Sequence, residues 1–211
     1  MLPLFPYNGI LRPAIMLAGT IAGFAVLKRM QKSAHYRKLL FAACLAYLLF
    51  LIYATFLSRS VAQTYSYRLE LMGSARQAFS VKGGLWSLVR GDFSAIRLDD
   101  PQSLEAIAVN LLLMVPVGYL SPMVCSIRGK EIRAWQAILA GSILSALVEV
   151  VQLLTRLGML DVDDWVFNTA GTAAGYLLYR LFFRLNQKNK DIDVISIQFS
   201  YLNRSVAFQR S

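Results

Sequence analysis

The chain holds one histidine and two cysteines among 211 residues, and each scarcity removes a class of function. A lone histidine cannot supply the paired imidazoles of an H-E-x-x-H metal site, and the sequence also lacks a Walker loop and a G-x-S-x-G elbow. His35 sits in a basic run and reads as a solvated link residue. Cys44 lies within one apolar run and Cys125 at the end of another, so neither belongs to a disulfide framework and both read as packing residues. Charge is thin as well. Only 16% of residues are charged against 56% apolar, and the mean hydropathy of +0.49 departs from that of a soluble globule. The formal charge of +10 does not form a basic stripe with interleaved aromatics, so nucleic acid is not an expected partner. The leading MLPLFPYNG has no lysine or arginine and no small-residue cleavage site follows it, which argues against a cleaved signal peptide. No internal repeat or low-complexity tract is evident.

What the sequence does have is a membrane pattern. Apolar runs at Ile10–Leu27, Leu39–Leu57, Leu104–Cys125, Ala134–Leu154 and Trp165–Arg184 each have about the 18–22 residues needed to cross a bilayer. The expected fold is an all-α polytopic membrane bundle of about five transmembrane helices. Basic residues mark alternate ends of the runs: Lys28, Arg29, Lys32, Arg37 and Lys38 in the first link, Arg128, Lys130 and Arg133 in the third, and Arg180, Arg184, Lys188 and Lys190 after the last. The positive-inside rule makes these segments cytoplasmic. The N-terminus, the loop 58–103 and the Thr155–Asp164 loop are then external, and the C-terminus is cytoplasmic. This divides the chain into an N-terminal helix and basic link (1–38), a membrane domain (39–184) with its external loop, and a cytoplasmic tail (185–211).

Polar residues inside a bilayer are costly and mark sites. Positions 149, 152 and 156 are spaced i, i+3, i+7, so Glu149, Gln152 and Arg156 share a helical face that continues back through Ser145, Ser142 and Gly141. Asp164, Asn168, Gly171 and Gly175 form a second row. Its G-x-x-x-G spacing favours close helix contact, so leucine at Gly171 is expected to disrupt the bundle and alanine to be milder. Asn110 enters from the same side, and Pro116 is expected to open its helix toward a cavity. The rows predict an outward-facing polar pocket of Asn110, Glu149, Gln152, Asp164 and Asn168 beneath Arg156 and Asp161. Arg156 is also a candidate structural partner for Glu149, and Asp163 reads as a solvated residue in the N-cap of the last helix. Glu149 is a candidate general base. Asp161, Asp164 and Asn168 are candidate oxygen ligands for a hard cation such as Mg²⁺ or Ca²⁺.

Three stretches, "NLLLMVPVG" at Asn110–Gly118, "EVVQ" at Glu149–Gln152 and "DVDDWVFNTAGTAAGY" at Asp161–Tyr176, resemble the VanZ-like family of bacterial membrane proteins. "TFLSRS" at Thr55–Ser60 and "SYRLELMGSAR" at Ser66–Arg76 are similar to the start of that family's domain. The resemblance implies a membrane fold and a cell-envelope setting associated with resistance to the glycopeptide teicoplanin, with no reaction or cofactor attached. The expected partners are the lipid bilayer and an amphiphilic ligand, either a lipoglycopeptide antibiotic or a lipid-linked precursor. The alternatives are a membrane enzyme using the Glu/Asp site on an envelope lipid, with or without a cation, and a purely structural polar network.

Overall fold

The computed structural model describes residues 11–58, 61, 64–81, 90 and 96–182. The readings made above for the leader, the 185–211 tail and part of the external loop fall outside these residues. Five long helices run in alternation: α1 (Leu11–Arg29), α2 (Tyr36–Ile52), α4 (Pro101–Ser126), α5 (Ala134–Thr155) and α6 (162–182). The connection after α2 carries a six-residue helix, α3 (Gly73–Ala78). Four of the long helices have the length and apolarity to cross a membrane, α2 together with the Tyr53–Leu57 turn that follows it. The fold is an all-α membrane bundle.

Local chemistry sets the ends of these helices. Asp100 caps α4, its carboxylate accepting from the N–H groups of Gln102 at 3.0 Å and Ser103 at 3.2 Å, and Pro101 at the first position has no N–H to leave orphaned. α4 then runs unbroken to Ser126 through Pro116. The Tyr47 hydroxyl on α2 donates to the Leu113 carbonyl at 2.5 Å. α2 ends in the π-helical turn Tyr53–Leu57, in which the Ser58 N–H reaches the Tyr53 carbonyl at 2.9 Å.

α5 stops at Thr155 because Arg156 adopts a left-handed conformation (φ 57°). The N–H groups of Arg156 and Leu157 turn back to the Leu153 carbonyl at 3.2 Å and the Gln152 carbonyl at 3.1 Å. This paired closure normally uses glycine at the left-handed position.

Close packing holds α4 against α6. A Cβ built on Gly171 would run into the Leu111 carbonyl oxygen and lie 2.9 Å from its carbon, and one on Gly175 would meet the Val115 carbonyl in the same way. Gly118 on α4 returns the contact against Thr172 and Tyr176. The G-x-x-x-G face is therefore a backbone-to-backbone crossing. Even alanine at Gly171 would meet this carbonyl, so it too carries a cost. An apolar core formed by Phe24, Leu27, Leu40, Val115, Tyr119, Leu120 and Met123 fills the space between α1, α2 and α4. Phe24 and Tyr119 stack in it with ring centroids 3.6 Å apart. Large side chains such as Leu45, Leu49, Leu139, Ile143, Leu147 and Leu177 point outward, as lipid-facing residues do.

Two small sheets complete the loop end. β1 (Tyr67–Arg68) pairs in parallel with β4 (Leu160–Asp161), in the register Tyr67 to Leu160 and Arg68 to Asp161. β2 (Phe79–Val81) pairs antiparallel with β3 (Ile96–Leu98). The first sheet fastens the segment after α2 to the start of α6.

Candidate functional site

The polar residues converge at the end of the bundle where α2 and α5 finish and α4 and α6 begin. Asp161 caps α6, with Oδ1 accepting from the Asp163 N–H at 3.0 Å. Its Oδ2 accepts from Arg68 Nε at 3.0 Å and also from Arg68 Nη2. The same guanidinium donates to Ser74 Oγ at 2.8 Å. The hydrogen bond to Asp161 holds the Arg68 guanidinium above its ordinary pKa, with a further contribution from the negative charge of Asp161, Asp163 and Asp164. Asp161 also donates, its N–H reaching Glu149 Oε2 at 3.0 Å. Glu149 is thereby tied to the start of α6.

Asp163 departs most from its expected role. It is fully buried, and its carboxylate accepts from the backbone N–H groups of Met72 at 2.6 Å and Ser74 at 2.7 Å. It satisfies the orphan donors at the start of α3 and does not face solvent. Asp164 accepts from Asn110 Nδ2 on α4. Asn168 Nδ2 donates to Ser145 Oγ on α5 at 2.9 Å, and Gln152 Nε2 donates to the Thr55 carbonyl at 3.0 Å. That last bond serves a carbonyl in the π-helical turn.

Arg156 does not join the row. Because the helix ends one residue earlier and Arg156 is left-handed, its side chain leaves the face shared by Glu149 and Gln152 and rests 5.4 Å over the ring of Tyr65. The cation seated among the acids is Arg68, which sequence reasoning passed over because it is one of several basic residues in a loop without helical periodicity. The pairing of "SYRLE" with "GMLDVDD" was the signal that could have found it.

Each candidate cation ligand also has a protein partner. Asp161 faces Arg68, Asp164 faces Asn110, and the Asn168 amide faces Ser145. No group of three Asp, Glu, His or Cys residues among the described residues is arranged to hold a metal ion. Among the described residues three buried side-chain oxygens lack a hydrogen-bond partner, Ser121 Oγ on α4 and two in this network. Gln152 Oε1 and Asn168 Oδ1 are buried without a hydrogen-bond partner, on residues that are 2% and 3% exposed. Such atoms are costly unless something donates to them.

The order and packing of these polar residues on α4, α5 and α6 can be compared with known families. A model of the VanZ/LLP1 family matches residues 38–183. The chain belongs to the VanZ/LLP1 family. The matched span takes in every residue of the network, from Thr55 and Arg68 to Asn168. No curated protein and no solved structure matches the chain. Membership in the VanZ/LLP1 family and the long apolar helices make it a multi-pass membrane protein whose setting is the lipid bilayer.

Proposed function

We propose that the chain binds the hydrogen-bond-donating part of an amphiphilic cell-envelope molecule at the acidic end of its bundle, and that it contributes in this way to teicoplanin-type glycopeptide resistance. The observation that carries this reading is the pair of donorless buried acceptors, Gln152 Oε1 and Asn168 Oδ1. They select a hydroxyl or ammonium group. The carboxylates of Asp161, Asp163 and Asp164 act on Arg68 and that of Glu149 lies on the Asp161 N–H at this end, which favours a cationic or neutral donor over the phosphate of a lipid-linked precursor. A lipoglycopeptide, with its sugar hydroxyls, amine and acyl chain, has the matching chemistry. Placing this end outside rests on the basic residues at the other end. Single cysteines at Ser126 and Leu157 in a cysteine-free background, treated with an impermeant reagent on intact cells, test that orientation, and labelling at 126 alone reverses it.

The interlocked bonds favour a second reading, in which the network only fastens helices. Teicoplanin titrated into the full chain in detergent micelles, together with teicoplanin sensitivity of cells, separates the two. Glu149→Gln keeps an acceptor for the Asp161 N–H and is expected to leave the melting temperature close to wild type while weakening binding and resistance. If the wild-type chain neither binds teicoplanin nor changes sensitivity, the ligand reading fails. It also fails if Glu149→Gln loses function only in proportion to folded protein. In this scheme Glu149 is a binding residue; as the general base of an enzyme it would instead be required for turnover of an envelope lipid.

A further inference from the structure

Two adjoining grooves lie at the opposite end from the polar network. Near their middle, α5 and α6 are pressed together, with Gly141 against Thr172. Toward the start of α5 the helices leave a groove of about 340 Å³ whose walls are nearly all apolar, with Ala134 and Ile138 on one side and Ala173, Leu177 and Leu181 on the other. It continues through Tyr176 and Arg180 into a more polar mouth lined by Glu131, Ile132 and Arg133. The Tyr176 hydroxyl donates to the Ile132 carbonyl at 3.1 Å and fixes the junction between the two parts.

Charge divides along the same line. Arg133 and Arg180 are exposed and form no ion pair among the described residues. Lys28, Arg29, Arg37, Lys38, Arg128 and Lys130 add to the positive field at this end, against Glu131. The amino end of α5 points the same way and contributes positive partial charge. Trp135, 58% exposed, stands beside the mouth as an aromatic anchor at the level of lipid headgroups.

We propose that this groove binds an anionic phospholipid, with an acyl chain along Ala134, Ile138, Ala173 and Leu177 and the phosphate between Arg133 and Arg180. A zwitterionic lipid fits the apolar floor equally well but brings an ammonium group into a basic mouth. The preference for anionic lipid therefore comes from the two arginines, reduced by Glu131. Basic pockets between membrane helices hold acidic headgroups in this manner.

Native mass spectrometry of the full chain, released from micelles doped with phosphatidylglycerol or phosphatidylcholine, tests the site. One phosphatidylglycerol is expected to be retained roughly tenfold better than phosphatidylcholine. Arg133→Gln/Arg180→Gln should abolish that preference at an unchanged melting temperature, and Arg133→Lys/Arg180→Lys should keep most of it. Ala173→Phe, which fills the floor and leaves both charges, should reduce retention of both lipids. Equal retention of the two lipids by the wild-type chain, or an undiminished preference in the glutamine pair, overturns the proposal. Competition by glycerol phosphate as effective as that by the intact lipid would also overturn it, because the site would then be one for free anions.

Discussion

The two ends of the bundle handle charge in opposite ways. At one end Glu149, Asp161 and Asp163 are buried and Asp164 is half-buried, and each is held by a named donor: Asp161 by Arg68, Asp163 by the Met72 and Ser74 N–H groups, Asp164 by Asn110 and Glu149 by the Asp161 N–H. At the other end the arginines that line the mouth between α5 and α6 are exposed, and the mouth is open. Buried charge is tolerable only with partners in place, whereas exposed charge is cheap and available to others. The first end holds its charges in fixed partnerships, and the second leaves them exposed.

The sharpest way to break this contrast is to remove the cation from the buried end. Arg68→Gln leaves Asp161, whose side chain is 4% exposed, without its countercharge, and is expected to destabilise the chain by about 3–5 kcal/mol. Asp161→Asn added to it should recover much of that loss, since the amide oxygen can still cap α6. Thermal melting in detergent reads both. A wild-type melting curve for Arg68→Gln would mean that the pair does not lock this end.

A smaller effect is expected at the crossing between the ends. Gly171→Ala forces a Cβ against the Leu111 carbonyl and should lower stability by about 1–3 kcal/mol. Gly19→Ala on α1, where a Cβ meets nothing within 4 Å, should be neutral or stabilising by about 0.5–1 kcal/mol. Folded yield after detergent extraction compares the two. Equal yields would remove the argument that the α4 and α6 backbones touch.

The smallest effect belongs to Asp100, a half-buried acid at the start of α4. The Ser103 hydroxyl, followed by the Gln102 and Ser103 N–H groups, holds the Asp100 carboxyl below its ordinary value of 3.8. Because the folded value is the lower one, the cap's contribution is complete above pH 3.8 and is lost as pH falls through the folded value. Asp100→Ala should therefore narrow the melting difference between wild type and variant as the solution is acidified through that window. A difference independent of pH would show that the carboxylate is not the cap.

The helices were readable because periodic hydrophobicity is a local signal. Tyr36–Leu57, Pro101–Ser126 and Ala134–Thr155 lie within a few residues of the runs expected for them. The locks were less readable because their partners lie far apart in the chain. Asp163 stands among acids at a helix start and looks solvated until Met72 and Ser74, about ninety residues earlier, are laid over it. Arg156 continues the Glu149 row only if the helix continues, and it ends at Thr155. Periodicity places a residue on a face. It does not report where the helix turns off.

The separation between Arg68 and Asp161, 93 residues, also sets an order of events during synthesis. At about 5–20 residues per second, Asp161 is made roughly 5–20 s after Arg68, so until then the loop lacks the carboxylates that Arg68 and the Met72 and Ser74 N–H groups meet in the finished fold. Only the arrival of α6 supplies the carboxylates. Closure of the loop is thus tied to the arrival of the last helix, and a chain that stops before Leu160 lacks the carboxylates that dock it.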